Sequence, residues 1–290
     1  VVFGFRAGLL KFACALLALV PTPVGNSLGS ALGWLLWQLP TRASKVTSRN
    51  LKLIEPRLRL DALETLRAYG RGVLDTLRIW GSPAQKLLTQ IEAIENEKLL
   101  FDALQAGRGV LIAAPHLGAF ELLNLYLAAR GSLHILYKAP KQAWLEPLLC
   151  EQRARLGANP VAASASGVRT LLKALKRGEM VGILPDQQPK LGEGEFADFF
   201  GIPALTMTLF CKLSASSGAS VLMAFAERTK AGYRLHFNAL DERISDTNTA
   251  RSVAYLNAEI EALVRLAPEQ YQWTYKRYSM RPPGADSVYK

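Results

Sequence analysis

Repeatedly along this chain a short, wholly apolar run comes up against a segment of helical periodicity, and a chain patterned this way has few folds open to it. Residues 110–114 and 180–184 are such runs, and residues 133–137, interrupted by His134, are strand-like in the same way. Helical spacing marks residues 117–129, 143–156, 168–175 and 204–216. A run that is apolar at every position is what a strand covered on both faces requires, so the alternation predicts an α/β fold with a mostly parallel central sheet flanked by helices. Leu63, Leu66, Tyr69, Val73 and Leu77 place a further helix across residues 60–80. Residues 221–226 and 233–237 read as two strands around a Lys-Ala-Gly turn, and residues 250–266 as the closing helix. At 290 residues, half of them hydrophobic, the chain suits one large domain or one domain with a membrane-proximal extension. No repeat or linker divides it.

The first part of the chain follows a different rule. Residues 1–54 carry six basic side chains (Arg6, Lys11, Arg42, Lys45, Arg49, Lys52) and no acidic one, which is more than half of the formal net charge of +11. Residues 1–20 are almost continuously apolar around Arg6 and Lys11, and residues 28–39 form a second apolar block. A span needs roughly 20 apolar residues, so the first block is borderline, and its two cations suit a helix lying among headgroups at least as well. Pro21, Thr22 and Pro23 stand where a signal peptide would place small residues for cleavage. Two buried helices of a soluble core are the plainer alternative, and so long a stretch without acidic residues weighs against them. The expected division is therefore a membrane-associated N-terminal helical segment, residues 1–40, followed by the main domain, residues 41–290. The basic balance leaves nucleic acid, anionic lipid and an acidic protein open as partners. Cys14, Cys150 and Cys211 are odd in number and far apart, without the spacing of a zinc site or a disulfide framework, so no structural metal is expected and the compartment reads as reducing.

In a parallel sheet the chemistry gathers at the carboxyl ends of the strands. Here those positions are polar: Pro115-His116-Leu117-Gly118-Ala119-Phe120-Glu121 after the first run, Lys138 after the second, Pro185-Asp186-Gln187-Gln188 after the third. If the strands are parallel, His116, Lys138 and Asp186 share one rim. A five-residue step on one helix turns about 500°, which leaves the two side chains roughly 140° apart. His116 must then lie in the turn before the helix, with Gly118 allowing the tight entry and Glu121 in or near the first turn. From there the carboxylate is expected to accept the imidazole N–H and make the other ring nitrogen a better base. A capping or packing histidine is the competing reading.

With the remaining segments included, the sequence resembles the bacterial lipid A biosynthesis acyltransferases, the late lauroyl/myristoyl group within the wider lysophospholipid acyltransferase superfamily. Its His-x4-Asp/Glu motif stands as His116 and Glu121. Around it come Gly107-Arg108-Gly109-Val110, Tyr137-Lys138-Ala139-Pro140, Arg153-Ala154-Arg155-Leu156-Gly157, Gly182-Ile183-Leu184-Pro185-Asp186-Gln187 and Phe199-Phe200-Gly201-Ile202-Pro203. The closing segment is Pro268-Glu269-Gln270-Tyr271-Gln272-Trp273-Thr274-Tyr275-Lys276-Arg277. The resemblance implies an inner-membrane enzyme with its active site toward the cytoplasm, moving a fatty acyl chain from acyl carrier protein to a hydroxyl of a lipid A precursor without a cofactor. It makes residues 41–290 an acyltransferase domain, with His116 and Glu121 as catalytic pair and Arg153 and Asp186 as further active-site positions. Lys138, Arg169, Lys173 and Gln187 are the expected substrate-binding residues. Two positions depart from the family pattern. Lys138 stands where Arg is frequent, a point charge in place of a fork, and Tyr275 stands where many members have His.

The residues agree with that chemistry. His116 would take the proton of the acceptor hydroxyl as it attacks the thioester, while Arg153, Lys138 or backbone N–H groups at the helix start are candidate donors to the oxyanion. Asp186 would orient one of those cations, or simply cap its loop. Arg169, Lys173 and Lys176 recur at helical steps with Arg177 beside them, and Lys141 and Arg155 add to the charge near Lys138 and Arg153, a surface suited to a phosphorylated glycolipid or an acidic carrier protein. A solvated helix face explains the stripe equally well. Nucleic acid is disfavoured, because no recognition motif accompanies the charge. Gly25-Asn26-Ser27-Leu28-Gly29 matches a hydrolase nucleophile elbow, but Pro21 and Pro23 argue against the strand it needs. Gly192-Glu193-Gly194-Glu195 is too acidic for a phosphate cradle, and His134 and His236 lie inside strand patterns and read as structural. An acyltransferase for another lysophospholipid or glycolipid, and a noncatalytic lipid-binding scaffold, are the alternatives.

Overall fold

A computed structural model describes residues 2–289, with side chains from residue 5 onward. The chain opens with four helices, α1 (Val2–Leu19), α2 (Thr22–Gln38), α3 (Arg42–Ile54) and α4 (Ala62–Gly81), then a short α5 (Ala84–Leu88). Strands and helices then alternate: β1 (Ile91–Glu95), α6 (Glu97–Gln105), β2 (Val110–Ala113), α7 (Phe120–Ala128), β3 (Leu133–Tyr137), α8 (Glu146–Arg153), β4 (Asn159–Ala162), α9 (Ala165–Lys176) and β5 (Met180–Ile183). A hairpin of β6 (Gly194–Phe199) and β7 (Ile202–Met207) leads to α10 (Leu209–Ser217), β8 (Ser220–Arg228), β9 (Tyr233–Ala239) and α11 (Thr249–Val264).

Seven strands form one sheet in the order β1-β9-β8-β2-β5-β3-β4. The five from β8 to β4 run parallel, β9 is antiparallel to β8, and β1 is parallel to β9. All four residues of β2 and of β5 are buried, as expected of central strands with helices on both faces. One core, with Leu111, Val181, Phe199 and Phe225, lies under α9, α10 and α11; the other, with Ile112, Leu122, Leu235 and Phe237, lies under α6 and α7.

The helix expected across residues 204–216 is corrected at its start. Ala204, Leu205, Thr206 and Met207 belong to β7, paired with Ala197, Phe196, Glu195 and Gly194 of β6, and the helix begins only at Leu209. An apolar run of that length satisfies either period, and the hairpin partner decided it. Strands β1, β4 and β6 were not expected; β4 is half-exposed at the sheet edge and contains Pro160, so it lacks the apolar run of a central strand.

Glycines set how the N-terminal helices meet the rest. A Cβ on Gly70 would lie 2.1 Å from the Gly29 carbonyl oxygen, and one on Gly33 would lie 2.2 Å from that of Leu66, so α2 and α4 touch backbone to backbone. A Cβ on Gly81 would lie 2.0 Å from the Cys14 oxygen, which fixes α1 on α4 the same way. The Gly25–Gly29 match to a nucleophile elbow is therefore helix: Ser27 donates to the Pro23 carbonyl, and Gly29 serves close packing. With their inner faces spent on α4, α1 and α2 present apolar side chains outward. Phe5, Leu9, Phe12, Leu16 and Leu19 recur at steps of four and three along one face of α1, and all are exposed, as are Val24, Leu28, Trp34, Leu35 and Trp37 on α2. Among the described residues no helix is long and apolar enough to cross a membrane. Arg42, Lys45, Arg49 and Lys52 line one face of α3, while Val46, Leu51 and Ile54 are buried on the other. Lys11 is ion-paired to Glu151 of α8 at 2.7 Å, so one of the two cations of α1 is engaged within the molecule.

Candidate active site

β2 and β5 are adjacent and in register, with Ala113 opposite Ile183. Three residues beyond each lies a polar side chain, and the shared register brings these two, His116 and Asp186, together at the rim. Nδ1 of His116 lies 2.9 Å from Oδ1 of Asp186, and the His116 backbone N–H donates to Oδ2 at 3.0 Å. An ionised carboxylate only accepts, so Nδ1 carries a proton, and in the neutral ring the lone pair lies on Nε2. The Gln187 amide nitrogen donates to that lone pair at 3.2 Å and to Gln272 Oε1 at 2.9 Å. Asp186 is 2% exposed and the His116 side chain 18%. Burial pushes the Asp186 carboxyl up, but the facing imidazole, the two hydrogen bonds from His116 and the charge of Arg277 outweigh it and hold the group below the usual carboxylate range.

The loop between β2 and α7 is held from both sides. The Gln272 N–H donates to the His116 carbonyl at 3.0 Å, Gly118 N–H to Gln270 and Ala119 N–H to Ala226. Gly118 has φ +63°, and a Cβ there would lie 2.0 Å from the Ala226 oxygen, so this turn admits only glycine. The closing segment thus holds the loop that carries His116. Tyr271 is buried beside Asp186; burial first, and the neighbouring carboxylate second, push its phenol well above the usual range. Tyr275, at the position where histidine was noted as frequent, accepts from the Gln188 N–H at 2.9 Å and steadies the loop that carries Asp186 and Gln187.

The expectation that Glu121 would accept the imidazole N–H is corrected. Asp186 occupies that place. Glu121 does lie in the first turn of α7, as the spacing required, but its carboxylate takes three contacts from Arg153 at the end of α8, Nη2 at 2.8 Å and Nε at 3.1 and 3.4 Å. The pair is buried, 10% and 6% exposed, and Nη1 of Arg153 donates to no acceptor among the described residues. Lys138 is exposed just past β3 on the same rim. Arg169 and Lys173 are exposed on α9 with Lys176, running from the rim down the flank of the sheet, and Arg177 is drawn off to Glu179 at 2.7 Å. The structure therefore brings His116, Asp186 and Gln187 together and joins Glu121 to Arg153, while Arg169 and Lys173 share no hydrogen bond or ion pair with any of them among the described residues. His134 and His236 are structural, each bonded to a carboxylate, Glu179 and Glu227, with His236 stacked on Phe225. Gln272 lies in the closing segment noted in the sequence, but no role at the site was expected of it. Among the described residues no group of three or more His, Cys, Asp or Glu is placed to hold a metal ion.

An imidazole held by a buried carboxylate at the carboxyl rim of a parallel sheet is an arrangement that can serve as a general base toward a hydroxyl. The sequence model for bacterial lipid A biosynthesis acyltransferases matches residues 6–280, and the chain belongs to that family. It is an acyltransferase. It is 28% identical over 280 residues to a lipid A biosynthesis palmitoleoyltransferase of Escherichia coli (strain K12), covering 93% of this chain and 90% of that one. To the lipid A biosynthesis lauroyltransferase of the same organism it is 26% identical over 283 residues, with the same coverage. A lipid A biosynthesis acyltransferase of Haemophilus influenzae is 29% identical over 188 residues, 62% of this chain.

Proposed function

We propose that this acyltransferase moves a fatty acyl chain from acyl carrier protein to a hydroxyl of a lipid A precursor at the cytoplasmic side of the bacterial inner membrane. The observation that carries the reading is the His116–Asp186 contact, which leaves Nε2 unprotonated and covered only by the Gln187 amide. An acceptor hydroxyl replacing that amide donates its proton to Nε2 as its oxygen attacks the thioester carbonyl carbon. The tetrahedral intermediate collapses with cleavage of the C–S bond, and the imidazolium returns the proton to the leaving thiolate. No acyl-enzyme and no cofactor enter. Arg153, held in place by Glu121, offers its remaining Nη1 to the oxyanion, and Lys138 adds a second cation on the same rim; one such donor is worth about 3 to 4 kcal/mol in the transition state.

Purified protein supplied with an acyl carrier protein thioester and a lipid A precursor should add one acyl unit, read as a single mass increment. No product with that acceptor, or equal turnover on a simple lysophospholipid, would overturn the reading.

The outward apolar rows of α1 and α2, followed by the basic face of α3, support membrane attachment at the interface, as residues 1–40 were expected to provide. The exposed Arg169, Lys173 and Lys176 of α9 suit an acidic carrier docking on the flank. Replacing Leu9, Phe12 and Leu16 by Gln removes roughly three buried side chains' worth of apolar transfer, about 5 kcal/mol or more if they insert fully. Sedimentation with anionic-lipid vesicles should fall at least about 100-fold in partition coefficient. Unchanged sedimentation would show that this face is not the attachment.

A further inference from the structure

Where α4 crosses the end of β8, three arginines meet one carboxylate. Arg71, Asp75 and Arg78 follow one another at steps of four and three on α4 and so share a face. Arg78 is engaged within the cluster: its guanidinium donates to Gln90 Oε1 at 3.0 Å, Asp75 Oδ1 at 3.1 Å and the Tyr233 hydroxyl at 2.6 Å. Tyr233 in turn donates to the same Asp75 oxygen at 2.6 Å. Arg71 has one acceptor, Ser30 Oγ of α2 at 2.9 Å. Arg228, the last residue of β8, has none. Its guanidinium lies flat over Gly72, where a Cβ would be 3.2 Å from Nη2, and it donates to no acceptor among the described residues. Burial works against its charge, Asp75 supports it, and Arg71 is near enough to oppose it. After Asp75 neutralises Arg78, two positive charges remain uncompensated in a partly buried position.

The place bears on the reaction. Ala226, two residues before Arg228, holds the Ala119 N–H of the catalytic loop. The Gln270 side chain clasps the Arg228 backbone at both N–H and carbonyl, at 3.0 and 2.9 Å, while its own carbonyl holds Gly118. Two residues on, Gln272 holds the His116 carbonyl. One strap thus ties Arg228 to the base, and Ser30 ties Arg71 to the helix whose outer face is apolar. An amphiphile lying along α2 with its polar end toward His116 would carry its headgroup between these two guanidinium groups.

Resting on the acyl-transfer reading above, we propose that Arg71 and Arg228 form a binding site for a phosphoryl group of a substrate. A carboxylate would leave one of the two charges uncompensated; a phosphoryl dianion balances both and offers the oxygen pairs that two guanidinium forks require. The group is a phosphomonoester of the acceptor headgroup, because the phosphodiester through which the carrier protein holds its acyl arm has a single charge, and the donor pairs of the test check this.

The test measures kcat/KM of the native enzyme and its Arg228→Gln, Arg228→Lys and Arg71→Gln variants with four substrate pairs. These combine a phosphorylated or enzymatically dephosphorylated acceptor with acyl carrier protein thioester or a short acyl thioester lacking phosphate. Arg228→Gln should lose about 10- to 100-fold with fully phosphorylated substrates, with Arg228→Lys between, because the charge stays and the fork is lost. The loss should shrink to less than about threefold once the acceptor phosphate is gone and should persist with the short acyl thioester, and a loss that follows the donor's phosphate instead overturns the assignment. A loss that is equal in all four pairs, or absent in all, overturns the site. Inorganic pyrophosphate titrated against the protein supplies a readout that needs no turnover: binding to the native chain that Arg228→Gln weakens is expected, and equal or absent binding to both overturns it. Failure of the acyl-transfer reading itself shows differently, as a native enzyme that acylates no lipid A precursor.

Discussion

Asp186→Asn should slow acyl transfer nearly as much as His116→Ala does, by roughly 1,000-fold or more, while both variants keep the native fold. Removing the imidazole removes the base. Converting the carboxylate to an amide leaves a base in place, but the amide can present its NH2 group to Nδ1, which then turns the ring to the tautomer with its proton on Nε2, where it cannot accept from the substrate. Turnover measured per folded molecule, with near-ultraviolet circular dichroism to establish the fold, checks both. Glu121→Gln is the control, because Glu121 acts through Arg153 and not on the ring. A native rate in Asp186→Asn together with an inactive Glu121→Gln would return the carboxylate role to Glu121. Acid should trace the same partnership in stability. The Asp186 carboxyl is held below its ordinary range in the folded protein. Its contribution is therefore full above the unfolded carboxylate range and disappears as the pH falls through the folded value. Asp186→Asn should flatten that part of the acid unfolding curve.

How far the sequence led can be argued from His116, Asp186 and Glu121 themselves. Each stood just past an apolar run or at a helix start, and local pattern placed His116 and Asp186 on one rim and Glu121 in the first turn of the helix that follows. Which carboxylate meets the ring depends on which strands are neighbours. That β2 pairs with β5, while β3 lies beyond it, is a matter of strand order, settled by packing over long separations and invisible to periodicity. Intervals along the chain made Glu121 the nearer partner of His116, 5 residues away against 70 for Asp186, and the equal three-residue overhang past two registered strands reversed that ranking. The same limit hid β1, β4 and the β6–β7 hairpin. Their residues are half-buried edges or mixed runs whose identity comes from the partner strand. Helices α4, α9 and α11 were legible because each carries its own period and its own cap, with Asp61, Ser164 and Asn248 accepting from the first turn.

Glu121→Ala should destabilise the protein by about 3 to 5 kcal/mol, because it strands a buried guanidinium. Arg153 is 10% exposed and makes its side-chain hydrogen bonds to Glu121. A second cation depends on the same carboxylate. Burial holds the Arg155 guanidinium below its usual range and the charge of Glu121 opposes that shift, so its loss weakens the environment of Arg155 as well, although Arg155 keeps the Ile79 and Ser82 carbonyls. Arg153→Ala strands the carboxylate instead and should cost a similar amount. Chemical denaturation of both single variants and of the double variant closes the cycle. The double variant should be more stable than the sum of the two losses predicts, since neither stranded charge remains. Replacement of the pair by Leu and Met should recover most of the native stability and none of the activity. High salt should leave these differences in place, because a pair this enclosed is little screened. Strictly additive losses would mean that Glu121 and Arg153 are not coupled, and the cation offered to the oxyanion would then lack the support that places it.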